Sequence, residues 1–300
     1  MELEFHTLDV FTAEPLGGNP LAVVLGAEGL GDRLMQQVAR EFNLSETVFV
    51  LDAKENAPDA VPVRIFTPRS EMPFAGHPVI GTGVLLAELR HKDGCPFETG
   101  LTLATKAGPV PLTVTRIAGA ARAQLTAPRL AVGKETGFTD AAIAAALGLA
   151  PAQIGCARHR PQVLAGAAPI LAVPVADTEA LGKAAVVNEA WQPVRTATGS
   201  IGVCAYTALG APAAWRVRFF APDEGIVEDP ATGLAAVAFP AQVLAFDAPA
   251  DGTLRLSLEQ GIEMGRPSFI NVEVDIRAGA QVAVRVAGQA VRVTSGTLRI

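Results

Sequence analysis

A repeated segment constrains the fold of this chain more than any other feature. The sequence VRIFTP at residues 63–68 returns as VRFFAP at residues 217–222, an offset of 217 − 63 = 154 positions in a chain of 300. A short polar stretch follows each copy, and an X-Pro step then opens an apolar segment, with His77 before the proline in the first copy and Asp229 in the second. An offset near half the length predicts two similar domains of about 150 residues each. Each would present one helix N-terminus, and two such termini facing across a cleft would bind an anion.

Composition excludes several classes of function. Half of the residues are hydrophobic and 18% are charged, so the chain can bury a sizeable core. No apolar run approaches the roughly 18 residues of a membrane span, and residues 1–20 lack the basic start and apolar block of a secretory leader. The net charge of −6 and the lack of a Lys/Arg cluster argue against nucleic acid. We therefore expect neither a membrane nor a nucleic-acid partner.

The cysteines and histidines give little support for a disulfide framework or a metal site. Cys95, Cys156 and Cys204 are odd in number and far apart, which suits a reduced, cytoplasmic compartment. The four histidines form no His-x-His or His-Glu-x-x-His pair. No lysine lies in either repeated motif, which disfavours a Schiff base. We predict no metal site.

Hydrophobic periodicity predicts an α+β fold. The predicted helices are 32–42, 78–89, 139–147 and 230–245. The predicted strands are 4–10, 21–25, 47–51, 61–66, two within 98–117, 170–175, 201–208, 217–220, 254–258, 262–264, 269–276 and 281–300. The helices from Pro78 and Pro230 are apolar on nearly every face, which is typical of buried helices. We predict a sheet around one central helix, twice over, with domains at 1–120 plus about 285–300 and at 121–284.

The two X-Pro steps indicate candidate functional residues. Proline is favoured at the first helical position, so His77 and Asp229 are predicted as equivalent N-caps. Aspartate is a strong cap, and capping alone would explain Asp229. Histidine is a poor cap, which suggests another task for His77, although a lone histidine is more often structural.

Glu46 and several glycines have two interpretations each. Glu46 lies between a helix and an apolar strand, where desolvation would raise its pKa towards neutrality and suit a proton carrier. From this segment alone, a capping or solvent-facing glutamate is the simpler interpretation. Gly81, Gly83 and Gly233 either admit a ligand carboxylate to the backbone or allow tight packing, with ligand binding favoured for Gly233.

Two further groups of residues have simpler interpretations. The residues at 17–20 and 265–268 most simply form turns, and Arg266 within the second could instead pair with a substrate or interdomain carboxylate. Glu71, Asp223, Glu224 and Glu228 are expected to form a solvated acidic fringe.

These residues resemble the phenazine-biosynthesis PhzF-like family. The ordered match runs from about residue 5 to residue 300. It consists of the motifs GNP at 18–20, NLSET at 43–47, FTP at 66–68 with PFAGHP at 73–78, EDPATG at 228–233, and QG at 260–261 with MGRPS at 264–268. The resemblance implies the diaminopimelate epimerase-like fold, with two pseudo-symmetric domains of barrel-like, mostly antiparallel sheet around a central helix and the active site between them. It also implies a cofactor-independent isomerase, a homodimer and a small carboxylated metabolite as substrate.

The resemblance also implies roles for individual residues. In the phenazine isomerase, the glutamate matching Glu46 moves a proton between carbons of a dihydro-hydroxyanthranilate, assisted by the residues matching His77 and Asp229. Helix N-termini hold the substrate carboxylate. The expected substrate-binding residues are Gly76, Gly233, Leu234, Asn19 and Ser45.

Two departures bear on the chemistry. The epimerases of the superfamily place two facing cysteines at the helix starts, where this chain has Gly76 and the 229–233 loop, so two-thiol racemisation is disfavoured. The family usually has Ala-Thr-Gly-Ser, and Leu234 here replaces that serine, which puts the phenazine precursor in doubt as substrate. The alternatives to a proton-shuttling isomerase are a non-catalytic carboxylate- or protein-binding member of the fold, and an epimerase or racemase.

Overall fold

A computed structural model describes residues 1–51, 60–92, 94–211 and 213–300. The chain divides into two units. The first comprises Met1–Pro128, Arg266–Phe269 and Val286–Ile300, and the second comprises Arg129–Gly265 and Ile270–Arg285. No helix in this part of the chain is long and apolar enough to cross a membrane.

The first unit has a closed sheet around one buried helix and also contains a second helix. Its helices are α1 (Asp32–Phe42) and α2 (Gly76–Arg90), of which α2 is the buried one. Its strands are β1 (Glu2–Val10), β2 (Asn19–Val24), β3 (Glu46–Val50), β4 (Val61–Phe66), β5 (Glu71–Met72), β6 (Phe97–Thr105), β7 (Gly108–Arg116), β8 (Ala121–Thr126) and the end of β17 (Ala280–Arg299).

Strand pairing closes this sheet into a barrel. β1 pairs antiparallel with β2, β2 parallel with β3, β3 antiparallel with β4, and β4 parallel with β6. β6, β7 and β8 follow as antiparallel neighbours. β17 pairs with both β1 and β8, which joins the two ends of the sheet. Residues 76–88 of α2 are all buried, as expected for a helix that is apolar on all sides.

The second unit has the same kind of architecture. Its helices are α3 (Asp140–Ala146), α4 (Thr178–Lys183), α5 (Asn188–Thr198) and α6 (Gly233–Asp247), with short 3₁₀ turns at Pro151–Gln153 and Pro222–Glu224. Its strands are β9 (Val132–Glu135), β10 (Gln162–Ala165), β11 (Pro169–Pro174), β12 (Val203–Ala208), β13 (Ala214–Ala221), β14 (Ile226–Asp229), β15 (Gly252–Gln260), β16 (Ser268–Arg277) and the start of β17.

The duplication extends from sequence to topology. β11 pairs parallel with β12, β12 antiparallel with β13, and β13 parallel with β15, which repeats the order of β2, β3, β4 and β6. The short strands β5 and β14 lie antiparallel to β4 and β13. Helices α2 and α6 both contain 15 residues, and α1 and α5 both contain 11. The predicted fold class is confirmed.

An arginine–glutamate clamp is repeated as well. Arg64 makes two hydrogen bonds to Glu71, at 2.8 and 2.9 Å, and Arg218 makes two to Glu228, both at 2.8 Å. Each guanidinium also lies over a phenylalanine ring, at 5.1 and 4.8 Å from the centroid. The prediction of a solvated fringe is wrong for these glutamates, because their side chains are only 18% and 14% exposed and are held by arginine. Asp223 is likewise paired, with Trp191, Gln192 and Arg195.

The predicted starts of the two central helices are wrong. Helix α2 begins two residues before Pro78, with Ala75 as its N-cap, and α6 begins three residues after Pro230, with Thr232 as its N-cap. Pro230 directly follows strand β14, so it marks the end of a strand rather than the start of a helix. Neither His77 nor Asp229 is an N-cap.

Strand register shows that these two residues are not equivalent. Met72 lies opposite Ile65 in the β4–β5 pair, and Asp229 lies opposite Phe219 in the β13–β14 pair. Ile65 and Phe219 occupy the same place in the repeated segment, so Asp229 corresponds to Met72. Each central helix begins four residues beyond this position, and His77, its second residue in the first unit, corresponds to Leu234.

The remaining predicted boundaries are met at helix α1 and differ from the structure near residues 262–269. Helix α1 has the predicted bounds 32–42. Residues 262–264 form a turn rather than a strand, because the N–H groups of Met264 and Gly265 bond back to Gly261 and Ile262. Arg266–Phe269 belongs to the first unit, although our prediction assigned this segment to the second domain. Its side-chain contacts, described below, explain the assignment.

Packing explains two of the glycines in α2. A Cβ at Gly81 would lie 2.6 Å from Leu21 Cδ2 and 2.7 Å from Val10 Cγ2, and one at Gly83 would lie 3.2 Å from Leu112 Cδ2. The surrounding side chains are buried in the core of the barrel. Close helix–sheet packing therefore accounts for both glycines.

We expect Gly81→Ala to destabilise the protein by about 1–2 kcal/mol, since overpacking costs more than the gain in helix propensity. Gly182→Ala is a matched control, because Gly182 is an exposed residue of helix α4 and a Cβ there would meet nothing within 4 Å. The control should be neutral or stabilising by up to about 1 kcal/mol. Urea unfolding of both variants measures the difference, and equal effects would contradict the packing explanation.

Candidate functional site

Glu46 is the first residue of strand β3, and its side chain is only 11% exposed. Helix α1 ends at Phe42, and Asn43 in the left-handed conformation turns the chain towards the strand. Ser45 is half-buried in this turn. All five residues of β3 are buried, so the carboxylate of Glu46 emerges from an apolar strand.

His77 lies next to this carboxylate in the first turn of α2. Its Nε2 is 3.3 Å from Glu46 Oε2, and its Nδ1 is 3.2 Å from Asn19 Nδ2. Burial lowers the pKa of His77 from its ordinary value of 6.5 to about 3. The imidazole is therefore neutral at physiological pH. The contact with Glu46 joins a neutral ring to a carboxylate and is not an ion pair.

The hydrogen bond from Asn19 assigns the tautomer of His77. The side-chain amide of Asn19 donates to Nδ1, so the single ring hydrogen is on Nε2, the nitrogen that lies 3.3 Å from Glu46 Oε2. Asn19 is fully buried at the start of β2. The structure thus brings together Glu46, His77 and Asn19, with Gly76 beside them as the first residue of α2.

A glycine turn held by Arg266 positions Asn19. Gly18 has φ +61, and a Cβ there would lie 2.3 Å from the carbonyl oxygen of Val10, so only glycine fits. The guanidinium of Arg266 donates to the carbonyl oxygens of Gly17 and Gly18 and to the carboxylate of Asp9. Arg266 therefore shapes this turn, as the simpler of its two interpretations has it, and it also pairs with the carboxylate of Asp9.

The second unit contains a separate polar cluster at the start of α6. Asp229 is 6% exposed, and its Oδ2 accepts a hydrogen bond from Thr232 Oγ1 at 2.6 Å. Gln260, at the end of β15, bonds to the backbone at both Asp229 and Thr232. The structure thus brings Asp229, Gly233 and Leu234 together within one short segment.

The first turn of α6 has no side-chain cap. The hydroxyl of Thr232 is turned to Asp229 and makes no hydrogen bond to the helix. The N–H groups of Gly233 and Leu234 have no partner within the helix, and they carry the positive end of the helix dipole. This helix start is suited to binding a carboxylate.

Two supporting residues of this cluster were not predicted from the sequence. Thr232 and Gln260 lie in motifs of the resemblance, but neither was assigned a role. The available signal was the pairing of a buried glutamine at a strand end with a threonine that precedes a helix. No three His, Cys, Asp or Glu side chains within the described ranges are grouped as metal ligands would be.

The two units do not supply the same chemistry. Gly202 corresponds to Glu46. Helices α1 and α5 end in left-handed C-caps at Asn43 and Gly199, and Glu46 and Gly202 each follow three residues later, at the start of β3 and just before β12. A Cβ at Gly202 would lie 2.6 Å from the carbonyl oxygen of Phe220. The second unit therefore has neither a carboxylate nor room for one at this position.

Comparison with known proteins places the chain in a family. A family model described as "Phenazine biosynthesis-like protein" matches residues 8–296. This chain belongs to the phenazine biosynthesis-like family. An uncharacterized isomerase of Mesorhizobium japonicum is 43% identical over 297 residues, covering 97% of each chain. A trans-2,3-dihydro-3-hydroxyanthranilate isomerase of Pseudomonas chlororaphis is 34% identical over 302 residues, with the same coverage.

Solved structures agree with this placement. A PhzF family protein of Bacillus anthracis has a TM-score of 0.87 at 25% identity, covering all of both chains. A probable proline racemase of Agrobacterium radiobacter has a TM-score of 0.63 at 18% identity, covering 99% of this chain and 92% of the racemase, and it supports the fold alone. The prediction of a PhzF-like isomerase is confirmed at the level of family and reaction class.

Desolvation of His77 predicts a pH dependence of stability. Below about pH 6.5 the unfolded chain binds a proton at this residue while the folded protein does not, so the free energy of unfolding decreases as the pH falls towards the folded-state pKa of about 3. Between about pH 7 and pH 5 this contribution amounts to about 2 kcal/mol. Urea unfolding of the wild type and of His77→Gln at both pH values measures it. The free energy of unfolding of His77→Gln should lack this decrease. An equal decrease in the wild type and the variant would contradict the lowered pKa of His77.

Proposed function

We propose that this PhzF-like isomerase moves a proton within a small carboxylated metabolite and that Glu46 carries the proton. The observation that supports this most strongly is the contact between Glu46 and a neutral, fully buried histidine, at 3.3 Å. A carboxylate removed from bulk water is a stronger base than an exposed one. It can take a proton from one carbon and return it to another.

A neutral His77 suits this role. An imidazole with a pKa of about 3 does not compete with Glu46 for the proton. Its Nε2–H can donate a hydrogen bond to the Glu46 carboxylate or to negative charge that develops on the substrate. Asn19 keeps the ring in the tautomer that permits this donation. We propose that Gly76 and Ser45 contact the substrate beside this group.

We propose that the second unit binds the carboxylate of the substrate. The N–H groups of Gly233 and Leu234 are donors with the helix dipole behind them. Asp229 is buried beside them and accepts from Thr232. We assign to Asp229 the orientation of a donor group of the substrate.

An epimerase or racemase is disfavoured by the asymmetry of the two units. Inversion at one carbon needs an acid and a base on opposite faces, whereas Gly202 occupies the place that corresponds to Glu46. The second unit supplies Asp229 but no counterpart of Glu46, which favours Glu46 serving both steps along one face of the substrate. A non-catalytic binding protein would have no need of a desolvated proton carrier. The homodimer implied by the resemblance stays a prediction.

Glu46→Gln tests the proton carrier. We expect the loss of deuterium incorporation from D₂O into the product, because an amide cannot accept and return the proton. The first substrate to assay is the trans-2,3-dihydro-3-hydroxyanthranilate of the P. chlororaphis relative, followed by a panel of unsaturated carboxylates. Glu41→Gln changes an exposed glutamate of the preceding helix and serves as the control. Unchanged incorporation in Glu46→Gln would exclude the role.

Leu234 is expected to limit turnover of the phenazine precursor. Its side chain lacks a hydroxyl donor and is larger than the serine usual in the family. Leu234→Ser should raise kcat/KM for that precursor by about tenfold, the effect of one hydrogen bond to a charged or polar group. Leu234→Ala separates size from hydrogen bonding, since it enlarges the site without adding a hydroxyl. Equal gains in both variants would indicate that size alone matters.

A further inference from the structure

Gln260 forms a buried hydrogen-bond network with the segment before α6. Its side chain is 1% exposed. Oε1 accepts from the backbone N–H of Thr232 at 3.0 Å, while Nε2 donates to the backbone oxygen of Asp229 at 2.7 Å and to Thr232 Oγ1 at 2.9 Å. One side chain thus makes three bonds to two residues of the candidate site.

These bonds determine every donor and acceptor in the network. A backbone N–H can only donate and a backbone carbonyl can only accept, which assigns Oε1 and Nε2 of Gln260 without ambiguity. Because Nε2 donates to Thr232 Oγ1, the single hydrogen of that hydroxyl is free to go to Asp229 Oδ2 at 2.6 Å. Asp229 therefore accepts this hydrogen bond.

The same network leaves the helix start open. A threonine at the N-cap ordinarily accepts from an N–H of the first turn. Thr232 is the N-cap of α6 but makes no such bond, since its hydroxyl is held between Gln260 and Asp229. Orientation of this hydroxyl decides both the hydrogen bonding of Asp229 and the availability of the helix N–H groups.

We propose that Gln260 is a positioning residue that acts through the Thr232 hydroxyl. It holds Asp229 as a hydrogen-bond acceptor and keeps the first turn of α6 uncapped for a substrate carboxylate. The catalytic consequence rests on the proposed function of Asp229. The hydrogen-bond direction itself does not, which allows the two to be tested separately.

The side-chain carboxyl ¹³C resonance of Asp229 in the ligand-free protein reports the hydrogen bond directly, with its assignment given by Asp229→Asn. Gln260→Leu and Thr232→Val should shift this resonance in the same direction, and Thr232→Ser should leave it in place. If Gln260→Leu does not fold, Gln260→Glu replaces it, because a carboxylate there only accepts and would draw the Thr232 hydroxyl away from Asp229. The proposal would be overturned if the Asp229 resonance moved in Thr232→Val but kept its wild-type position in Gln260→Leu or Gln260→Glu.

Turnover provides the second measurement. Gln260→Leu and Thr232→Val should each lower kcat by about tenfold, and the double variant should lose no more than either single one, because both act through one hydroxyl. Thr253→Val, which breaks an exposed Thr–Asp bond of the same unit, should retain the wild-type kcat. If the double variant lost the product of the two single-variant factors in kcat, Gln260 and Thr232 would act independently and the proposal would be wrong. If the Asp229 resonance shifts as expected but the wild-type protein has no isomerase activity, the proposed function is refuted. The positioning of Asp229 by Gln260 then still holds.

Discussion

Burial of two apolar helices is the constraint on which the rest of the structure depends. Helices α2 and α6 are apolar on every side, so each is stable only when a sheet surrounds it. In the first unit the closed barrel provides this environment, and its tight packing accounts for the glycines of α2. The first turn of each helix is largely buried as well, with Leu234 of α6 half-buried. Its N–H groups consequently lie in a medium of low dielectric, where they interact strongly with negative charge.

Hydrophobic pattern and repetition were enough to predict the architecture. The offset of the repeated segment indicated two similar halves, and the all-round apolar character of residues 78–89 and 230–245 indicated central helices. The exact helix starts were not predictable, because proline is compatible with a strand end as well as with a first helical turn. Only the register opposite Ile65 and Phe219 reveals that Asp229 corresponds to Met72.

The candidate residues could be named from the sequence, but their contacts could not be predicted. Local pattern left Glu46, His77 and Asp229 with simpler structural interpretations, and the family resemblance supplied the roles that are proposed for them. Their partners come from distant parts of the chain: Asn19 is 58 positions from His77, and Gln260 is 28 positions from Thr232. Periodicity reports which face of an element is buried, but it carries no information about which buried polar groups meet. The charge state of His77 likewise depends on burial by neighbours that are remote in sequence.

Parallel pairing of β3 with β2, which places Glu46 opposite Leu21, ties the orientation of the proposed proton carrier to strand register. Side chains alternate between the two faces of a sheet, so a slip of one residue would turn the carboxylate to the opposite face. The three residues between α1 and β3 set that register, and Asn43 turns the chain there. Loss or gain of a single residue in this connection must therefore be absorbed within the turn, because a slip of β3 would reverse its buried apolar side chains and, at the same time, aim the acid away from His77. We therefore expect the length of this short loop to matter as much to the proposed proton transfer as the identity of the acid that follows it.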